Sequence, residues 1–225
     1  KQGKLPVMGH NPDAITVTDA VRAGQRTIEH LTGVLVACSS RETELRGHIA
    51  KGAIGVDFGP IGEPGRIALD SYSEQKAATL FRTWKGVYML PTLVWEKAYL
   101  LAPSTRRRPE TAAMMKEHFA KGMAIVKAMH AAGIPFAAGT DAGDEFTTPG
   151  LGLHHELELL VEAGLTPLQA LQSATIHPAA MMKRPLPATD FVLLAANPLH
   201  DIRNTRRIEA VIRNGRMVAR PNSVR

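Results

Sequence analysis

The sequence contains few cysteine and aromatic residues and lacks several motifs. These absences exclude some classes of protein and limit how the core can be built. Its 225 residues include one cysteine, so internal disulfides cannot hold the chain together. No apolar run is long enough to span a bilayer, and the first residues lack a signal-peptide pattern. Glycine-rich loops of the P-loop or Rossmann type are absent, which argues against nucleotide binding. Aromatic residues make up 5%, so the core must be built mostly from aliphatic side chains and methionine.

The composition is otherwise that of a soluble globular protein, with 44% hydrophobic and 21% charged residues. The formal net charge is +6, but the basic residues are scattered along the chain rather than concentrated in stripes. A scattered pattern does not favour nucleic acid or a membrane surface as a partner. The charge pattern therefore gives no reason to expect either partner.

Strand and helix signals alternate through most of the chain. Short apolar strands are predicted in "KLPVMGH", "RTIEH", "GVYMLPTLVW" and "IPFAAGTD", with helical segments between them. The longest helix is predicted over about 108–132, where apolar residues such as Met115 and Met129 recur at helical spacing. Residues 53–71 are rich in glycine and proline, which predicts a lid or binding loop. The alternation is typical of an α/β fold with parallel strands.

The C-terminal segment has a different pattern. "TDFVLLAANPL" and "RIEAVIRNGRMVAR" read as strands without a helix between them. Asn214-Gly215 predicts a two-residue hairpin turn in the second of these. We therefore divide the chain into an α/β part over residues 1–184 and part of a small β domain over residues 185–225.

Three of the predicted strands end in a side chain that can bind a metal, namely His10, His30 and Asp141. In a parallel α/β barrel, functional groups project from the C-terminal ends of the strands, so these three would converge on one face. Two imidazoles and a carboxylate suit a divalent ion such as Zn²⁺, with a water in the open position. Each residue also has an ordinary explanation, because a histidine can end a strand as a structural polar group and an aspartate often forms a turn. Spacing alone leaves both interpretations open.

Five segments of the sequence resemble the metal-dependent amidohydrolase family. The similarity is closest to the imidazolonepropionase and Xaa-Pro dipeptidase-like branch, and it covers the C-terminal half to two-thirds of such a protein. The segments are "VMGHNPDAITVTDAVRAGQRTIEHLTG", "MLPTL", "AGIPFAAGTDAG", "GLGLHHELELLVEAGLTPLQALQSATIHPA" and "DFVLLAANPLHDIRNTRRIEAVIRNGRMV".

The resemblance implies a (β/α)8 TIM-type barrel, of which the sequence supplies strands five to eight, with part of a small β-sandwich domain at the C-terminus. His10 and His30 match the metal-binding histidines that close the fifth and sixth strands. Asp141 matches the aspartate of the eighth strand, which binds metal and carries a proton. Pro91-Thr92-Leu93 matches the end of the seventh strand. The implied cofactor is one or two divalent ions, with Zn²⁺ the first choice.

Two features of the family have no counterpart in the sequence. The His-x-His pair of the first strand and the carboxylated lysine of the fourth strand are absent, because the sequence starts just before the fifth strand. A segment of the family pattern is also missing between Lys183 and Thr189. We therefore expect the sequence to be a portion of a longer chain, which leaves the natural N-terminus and the localisation open.

Taken together, the resemblance predicts a hydrolase that cleaves an amide bond with a metal-activated water. The substrate is expected to be peptide-like, an N-acyl amino acid or a cyclic amide, and the enzyme is expected to be a homo-oligomer. Asp141 and His30 are the predicted catalytic residues, and His10, His30 and Asp141 the predicted metal ligands. Two alternatives stay open: a deaminase on the same scaffold, and a truncated remnant that binds without catalysing.

Other side chains rank lower as site residues. His154 and His155 lie at the start of a predicted helix near the barrel mouth and are weak candidates for substrate binding, with capping or surface roles as the alternative. Cys38 has no evident base and is expected to pack as a small residue. Glu29 precedes His30, so strand alternation predicts that its side chain points the opposite way.

Overall fold

The computed structural model describes residues 6–52, 62–102, 109–143 and 147–219. Within these ranges the helices are α1 (Val17–Arg22), α2 (Val34–Ala37), α3 (Glu42–Ala50), α4 (Glu63–Asp70), α5 (Glu74–Thr83), α6 (Leu93–Leu101), α7 (Pro109–Ala131), α8 (Leu151–Glu162), α9 (Pro167–Ser173) and α10 (Ile176–Met181). The strands are β1 (Thr27–Glu29), β2 (Tyr88–Leu90), β3 (Phe191–Leu194), β4 (Ile208–Arg213) and β5 (Arg216–Ala219).

The α/β part contains a row of four parallel chain segments. The two central ones, β1 and β2, pair in parallel along their whole length. A single bridge joins Val7 to Gln25 on the side of β1, and another joins Met89 of β2 to Phe136. The predicted α/β fold with parallel strands is therefore confirmed. The first and last segments pair through one bridge each and are less regular than the strands predicted there.

A hydrophobic core lies between the parallel segments and the helices around them. Its aromatic members are few, and methionine and aliphatic residues fill most of the space, as the composition predicts. The long helix α7 contributes Met115 and Met129, both buried, so their predicted packing role is confirmed. Among the described residues, none of the helices combines the length and the apolar character that crossing a bilayer requires.

The C-terminal segment forms a separate antiparallel sheet in the order β3-β4-β5. Asn214 and Gly215 form the turn between β4 and β5, which confirms the predicted hairpin. A short 3-10 helix (Ile202–Arg206) lies between β3 and β4, so the prediction that no helix separates these strands is wrong. Its N-cap is Asp201, whose carboxylate accepts the N–H of Arg203.

Two predictions about the α/β part are wrong in detail. The predicted loop over 53–71 lies partly outside the described residues, but Glu63–Asp70 within it is helix α4. Its proline falls in the first turn, where a helix does not need the missing N–H, so the proline-rich composition does not prevent a helix. The apolar run "GVYMLPTLVW" is likewise not one strand, because β2 ends before Pro91 and α6 begins at Leu93.

Candidate metal and catalytic site

The predicted site residues follow directly on the parallel segments. His30 comes immediately after β1, and its N–H donates to Leu90 O of β2 (3.0 Å), so it lies at the end of the paired ladder. Thr92 follows β2 by two residues and is the N-cap of α6. Asp141 is on the segment that pairs with β2 through Phe136. Neighbouring segments therefore end at the same edge of the sheet.

Three of these residues have a left-handed backbone. The φ angle is 54° at His30, 48° at Thr92 and 50° at Asp141. This region is unfavourable for residues with a Cβ, and most of all for a β-branched residue such as threonine. Each such residue costs on the order of 1–3 kcal/mol, and such strain clusters at functional sites. Histidine and aspartate enter this region more readily than most residues, so the strain is concentrated at Thr92.

The side chains at this edge are close enough to share one ligand. The rings of His10 and His30 meet edge to face, with centroids 4.7 Å apart. His30 Nε2 lies 3.9 Å from Asp141 Oδ2, and His10 Nε2 lies 3.9 Å from Glu29 Oε2. His30 is largely buried, whereas the Asp141 side chain keeps 53% of its exposure. The structure therefore places His10 and Asp141 each beside His30. The donor atoms that lie within 4.8 Å of one another are, among the described residues, those of His10, Glu29 and His30, and Asp141 is not in that group.

A hydrogen bond to Thr92 fixes the orientation of the His30 ring. His30 Nδ1 and Thr92 Oγ1 are 2.6 Å apart, and the Thr92 hydroxyl donates its single proton to Pro91 O (2.8 Å). When the hydroxyl proton points to Pro91 O, Thr92 accepts from His30, and Nδ1 then carries the ring proton while Nε2 carries the lone pair. This is the arrangement of a metal-binding histidine, whose second nitrogen donates to a neighbouring acceptor. No role was predicted for Thr92, although a hydroxyl residue directly after an apolar strand was a usable signal.

Glu29 takes part in the cluster, contrary to the prediction from strand alternation. One donor atom each from His10, Glu29 and His30 lies within 4.8 Å of the others. The Thr27 hydroxyl donates to Glu29 Oε1 (3.2 Å), so Thr27 and Glu29 share a face, as alternation requires. His30 departs from alternation because its left-handed φ lies outside the β region. The prediction that Glu29 and His30 point opposite ways is therefore wrong.

Comparison with known proteins decides the family. The profile of the Amidohydrolase family matches residues 1–218. The chain belongs to the amidohydrolase family. No curated protein sequence is significantly similar to it. The predicted resemblance is confirmed at the level of the family.

Solved structures share the fold of this amidohydrolase chain. A. niger ochratoxinase is 21% identical with a TM-score of 0.62, and the match covers 96% of this chain and 42% of the ochratoxinase. An Xaa-Pro dipeptidase with methionine bound in its active site is 19% identical (TM-score 0.58; 95% of this chain, 44% of the dipeptidase). Bottromycin amidohydrolase is 24% identical (TM-score 0.59; 94% and 49%). The chain therefore spans less than half the length of these structures, and the likeness establishes a fold of TIM-barrel type.

The donor set of the amidohydrolase site fits a divalent metal. Donor atoms that surround one ion at about 2 Å lie within about 4 Å of one another. The His30–Asp141 and His10–Glu29 pairs, at 3.9 Å each, already meet this requirement. Two imidazoles with carboxylates are a set that suits Zn²⁺ among the divalent ions.

The weaker candidates lie in other surroundings. His154 Nδ1 is 2.9 Å from the hydroxyl of Thr205 in the 3-10 helix, which ties α8 to the C-terminal segment. Burial lowers the pKa of His154, and Arg206 lowers it further, so the neutral form is favoured. His155 lines a groove between α6 and α8. Cys38 is buried in the core, and its burial raises the thiol pKa to about 12, which agrees with a packing role.

Proposed function

We propose that the chain is the C-terminal part of a metal-dependent amidohydrolase that cleaves an amide bond in a small peptide-like, N-acyl amino acid or cyclic amide substrate. The observation that carries the proposal is the approach of His10, His30 and Asp141 at the strand ends of a family member. The names of three structural neighbours, an Xaa-Pro dipeptidase, bottromycin amidohydrolase and molinate hydrolase, agree with hydrolysis.

In this proposal His10 and His30 hold one or two divalent ions, Zn²⁺ by preference, together with Asp141. A bound ion supplies a Lewis acid and a water of lowered pKa. His30 is suited to bind metal because Thr92 occupies its Nδ1, which leaves the Nε2 lone pair for the ion. Glu29 adds a second carboxylate on the side of His10.

Asp141 acts as the general base and then the general acid. Its half-exposed carboxylate can reach both water and substrate, and it lies 3.9 Å from His30 Nε2. We propose that Asp141 accepts a proton from the attacking water and passes it to the leaving nitrogen, as amide cleavage requires. His30 supports this step by holding its ring in a fixed relation to the carboxylate.

The proposal also assigns the parallel segments to a barrel. The parallel order of the segments, from Val7 through β1 and β2 to Phe136, supports their assignment to strands five to eight of a (β/α)8 barrel. Residues 1–184 then belong to the barrel and residues 185–225 to the flanking β-sandwich domain. The separate antiparallel sheet β3-β4-β5 supports this boundary.

The first test is metal content and hydrolysis in the full-length protein. We expect bound divalent metal by elemental analysis, and release of an amino acid from a panel of Xaa-Pro dipeptides, N-acyl amino acids and cyclic amides. Dialysis against a chelator should abolish the activity, and added Zn²⁺ should restore it. His30→Gln should lose metal and activity together, whereas the same change at the exposed His200 should alter neither.

Other outcomes would decide between the alternatives. Ammonia as the product, without an amino acid, would indicate a deaminase on the same scaffold. A folded full-length protein that binds no metal and cleaves no amide would indicate a remnant that has kept the fold and lost the reaction.

A further inference from the structure

Helix α8 carries a carboxyl group that the proposed mechanism does not use. Glu156 is fully buried, on a face of the helix that it shares with Gly152, Leu159 and Leu160. A carboxyl group without solvent is costly unless its oxygens are hydrogen-bonded. The spacing of these residues places Glu156 on the apolar face of α8, so the sequence itself contains the signal for a buried carboxyl group.

The partners of Glu156 belong to a different helix. Its Oε2 accepts the N–H of Val94 at 2.8 Å, and the N–H of Leu93 is near enough to lower the pKa of the carboxyl group. These are the first two residues of α6, whose N–H groups have no partner inside the helix. Burial raises the pKa of Glu156 to about 8, although the Val94 and Leu93 N–H groups lower it. The second oxygen, Oε1, has no hydrogen-bond partner among the described residues.

Glu156 supplies the hydrogen-bond acceptor that Thr92, the N-cap residue of α6, does not supply. A threonine at an N-cap normally accepts one of the first N–H groups of its helix. Thr92 makes no such bond, and its hydroxyl contacts His30 Nδ1 and Pro91 O instead. The N-terminus of α6 is therefore capped from α8, 62 residues further along the chain.

We infer that Glu156 is a positioning residue for His30: it caps α6 in place of Thr92, and so leaves the Thr92 hydroxyl to hold the His30 ring with Nδ1 protonated. The inference deepens the proposed function, on which its consequence for metal binding rests. Without the carboxyl group, the N–H groups of Leu93 and Val94 compete for the Thr92 hydroxyl. The His30 ring then loses its fixed acceptor, and the ligand nitrogen loses its fixed direction.

The direct test is the tautomer of His30 in metal-free protein, read by NMR of ¹⁵N-labelled histidine in the full-length chain. His30 is assigned by the loss of its signals in His30→Gln. We expect wild type to show a protonated Nδ1 and an unprotonated Nε2. Glu156→Leu should populate the other tautomer, and Glu156→Gln should keep the wild-type pattern, because an amide oxygen can accept the same N–H groups. An unchanged tautomer in Glu156→Leu would overturn the inference.

A matched control separates positioning from a general loss of stability. Leu160→Ala removes a fully buried side chain one turn further along α8 without changing the carboxyl group. It should lower the melting temperature and leave the His30 tautomer unchanged; an equal tautomer shift in this variant would count against positioning. If Glu156→Leu does not fold, Glu156→Asp takes its place. The aspartate side chain is shorter by one methylene, so its carboxyl group no longer reaches the Val94 N–H, and the same change of the His30 tautomer is expected.

Metal affinity distinguishes failure of this inference from failure of the proposed function. With Co²⁺ as the probe, titrated against a chromophoric chelator, we expect Glu156→Leu to bind about 10–100-fold more weakly than wild type, as for other residues that support a ligand. Glu156→Gln and Leu160→Ala should stay close to wild type. Absence of Co²⁺ binding in wild type would refute the proposed function, while the tautomer result would still decide the role of Glu156.

Discussion

The chain adopts left-handed backbone at the hairpin turn and at the strand ends of the candidate site, and the two places differ in the residues that adopt it. In the hairpin the residues are Asn214 (φ 51°) and Gly215 (φ 70°). Asparagine and glycine accept this region readily, and a two-residue hairpin turn requires it. At the site the residues are His30, Thr92 and Asp141, and of these the β-branched Thr92 is the residue type that rarely adopts this conformation. Backbone strain at Thr92 therefore distinguishes the site from the hairpin.

The hairpin and the strand ends also differ in their exposure and in the contacts that hold them. The antiparallel sheet is open, with Phe191 56% and Val218 58% exposed. Its turn is held by a bond to the residue before β3, in which the Asn214 N–H donates to the Asp190 carboxylate 24 residues earlier in the chain. The strand ends are held by contacts between residues 62 apart, from His30 to Thr92 and from Glu156 to Val94. We expect changes at the strand ends to affect function, and changes in the hairpin to affect stability alone.

The largest effect is expected for Asp141→Asn. Asparagine tolerates a left-handed backbone at least as well as aspartate does, so the substitution removes the base and leaves the strand end in place. We expect kcat/KM for amide cleavage to fall by about 10²–10⁴-fold. The same change at the exposed Asp70 of α4 is the control and should leave the rate unchanged. Retention of most of the activity in Asp141→Asn would remove Asp141 from the proton transfer.

The next effect concerns the hydroxyl of Thr92. Thr92→Val keeps the β-branched shape but leaves His30 Nδ1 without its acceptor, so we expect metal affinity to fall by about 10–100-fold. Thr92→Ser keeps the hydroxyl and should bind metal nearly as well as wild type. Equilibrium titration with Co²⁺ measures both. Equal affinities of the valine and serine variants would mean that the backbone alone, and not the hydrogen bond, holds His30.

Sequence reasoning was informative where a single segment carried the signal. His10, His30 and Asp141 could be nominated because each ends an apolar run in a polar side chain, and parallel strands then bring their ends together. The hairpin could be predicted because Asn214-Gly215 encodes the turn locally. Helix α7 could be predicted because its apolar spacing continues over many turns.

What could not be predicted depends on contacts between distant segments or on the local backbone. Glu29 joins the cluster because the left-handed φ of His30 breaks strand alternation. No pattern of residue types in the sequence predicts that backbone conformation. Glu156 acts on Val94 across 62 residues. Helix α4 was missed because it lies in residues 53–71, a segment rich in proline and glycine, although proline is well tolerated in a first turn.

A third prediction concerns the pH dependence of the free energy of unfolding that arises from Glu156. The folded-state pKa of Glu156, about 8, lies above the ordinary value of 4.5. The folded protein therefore holds this proton more tightly than the unfolded chain, and the resulting stability is complete below about pH 4.5 and is lost as the pH rises towards 8. Between pH 6 and pH 7 the free energy of unfolding should fall by about 1 kcal/mol from this group. Urea unfolding of wild type and Glu156→Gln at both pH values should show that the variant lacks this loss.

The smallest effect is expected in the hairpin. Gly215→Ala should lower the free energy of unfolding by about 1 kcal/mol, because alanine is disfavoured at positive φ. A Cβ at this position would meet no atom within 4 Å, so the cost is conformational and not steric. Thermal unfolding measures the loss, and kcat/KM should not change. A fall in activity would show that the hairpin and the strand ends are coupled.

Because Cys38 is buried, the rate at which it is alkylated reports how often the core opens. The thiol is the only one in this sequence, and burial holds its pKa at about 12, so the reactive thiolate is almost absent in the folded state. An alkylating reagent can therefore modify Cys38 only during excursions that expose α2 and its neighbours. The rate at which the Cys38 peptide gains mass then counts those excursions directly, in wild type and in each variant, without an introduced label.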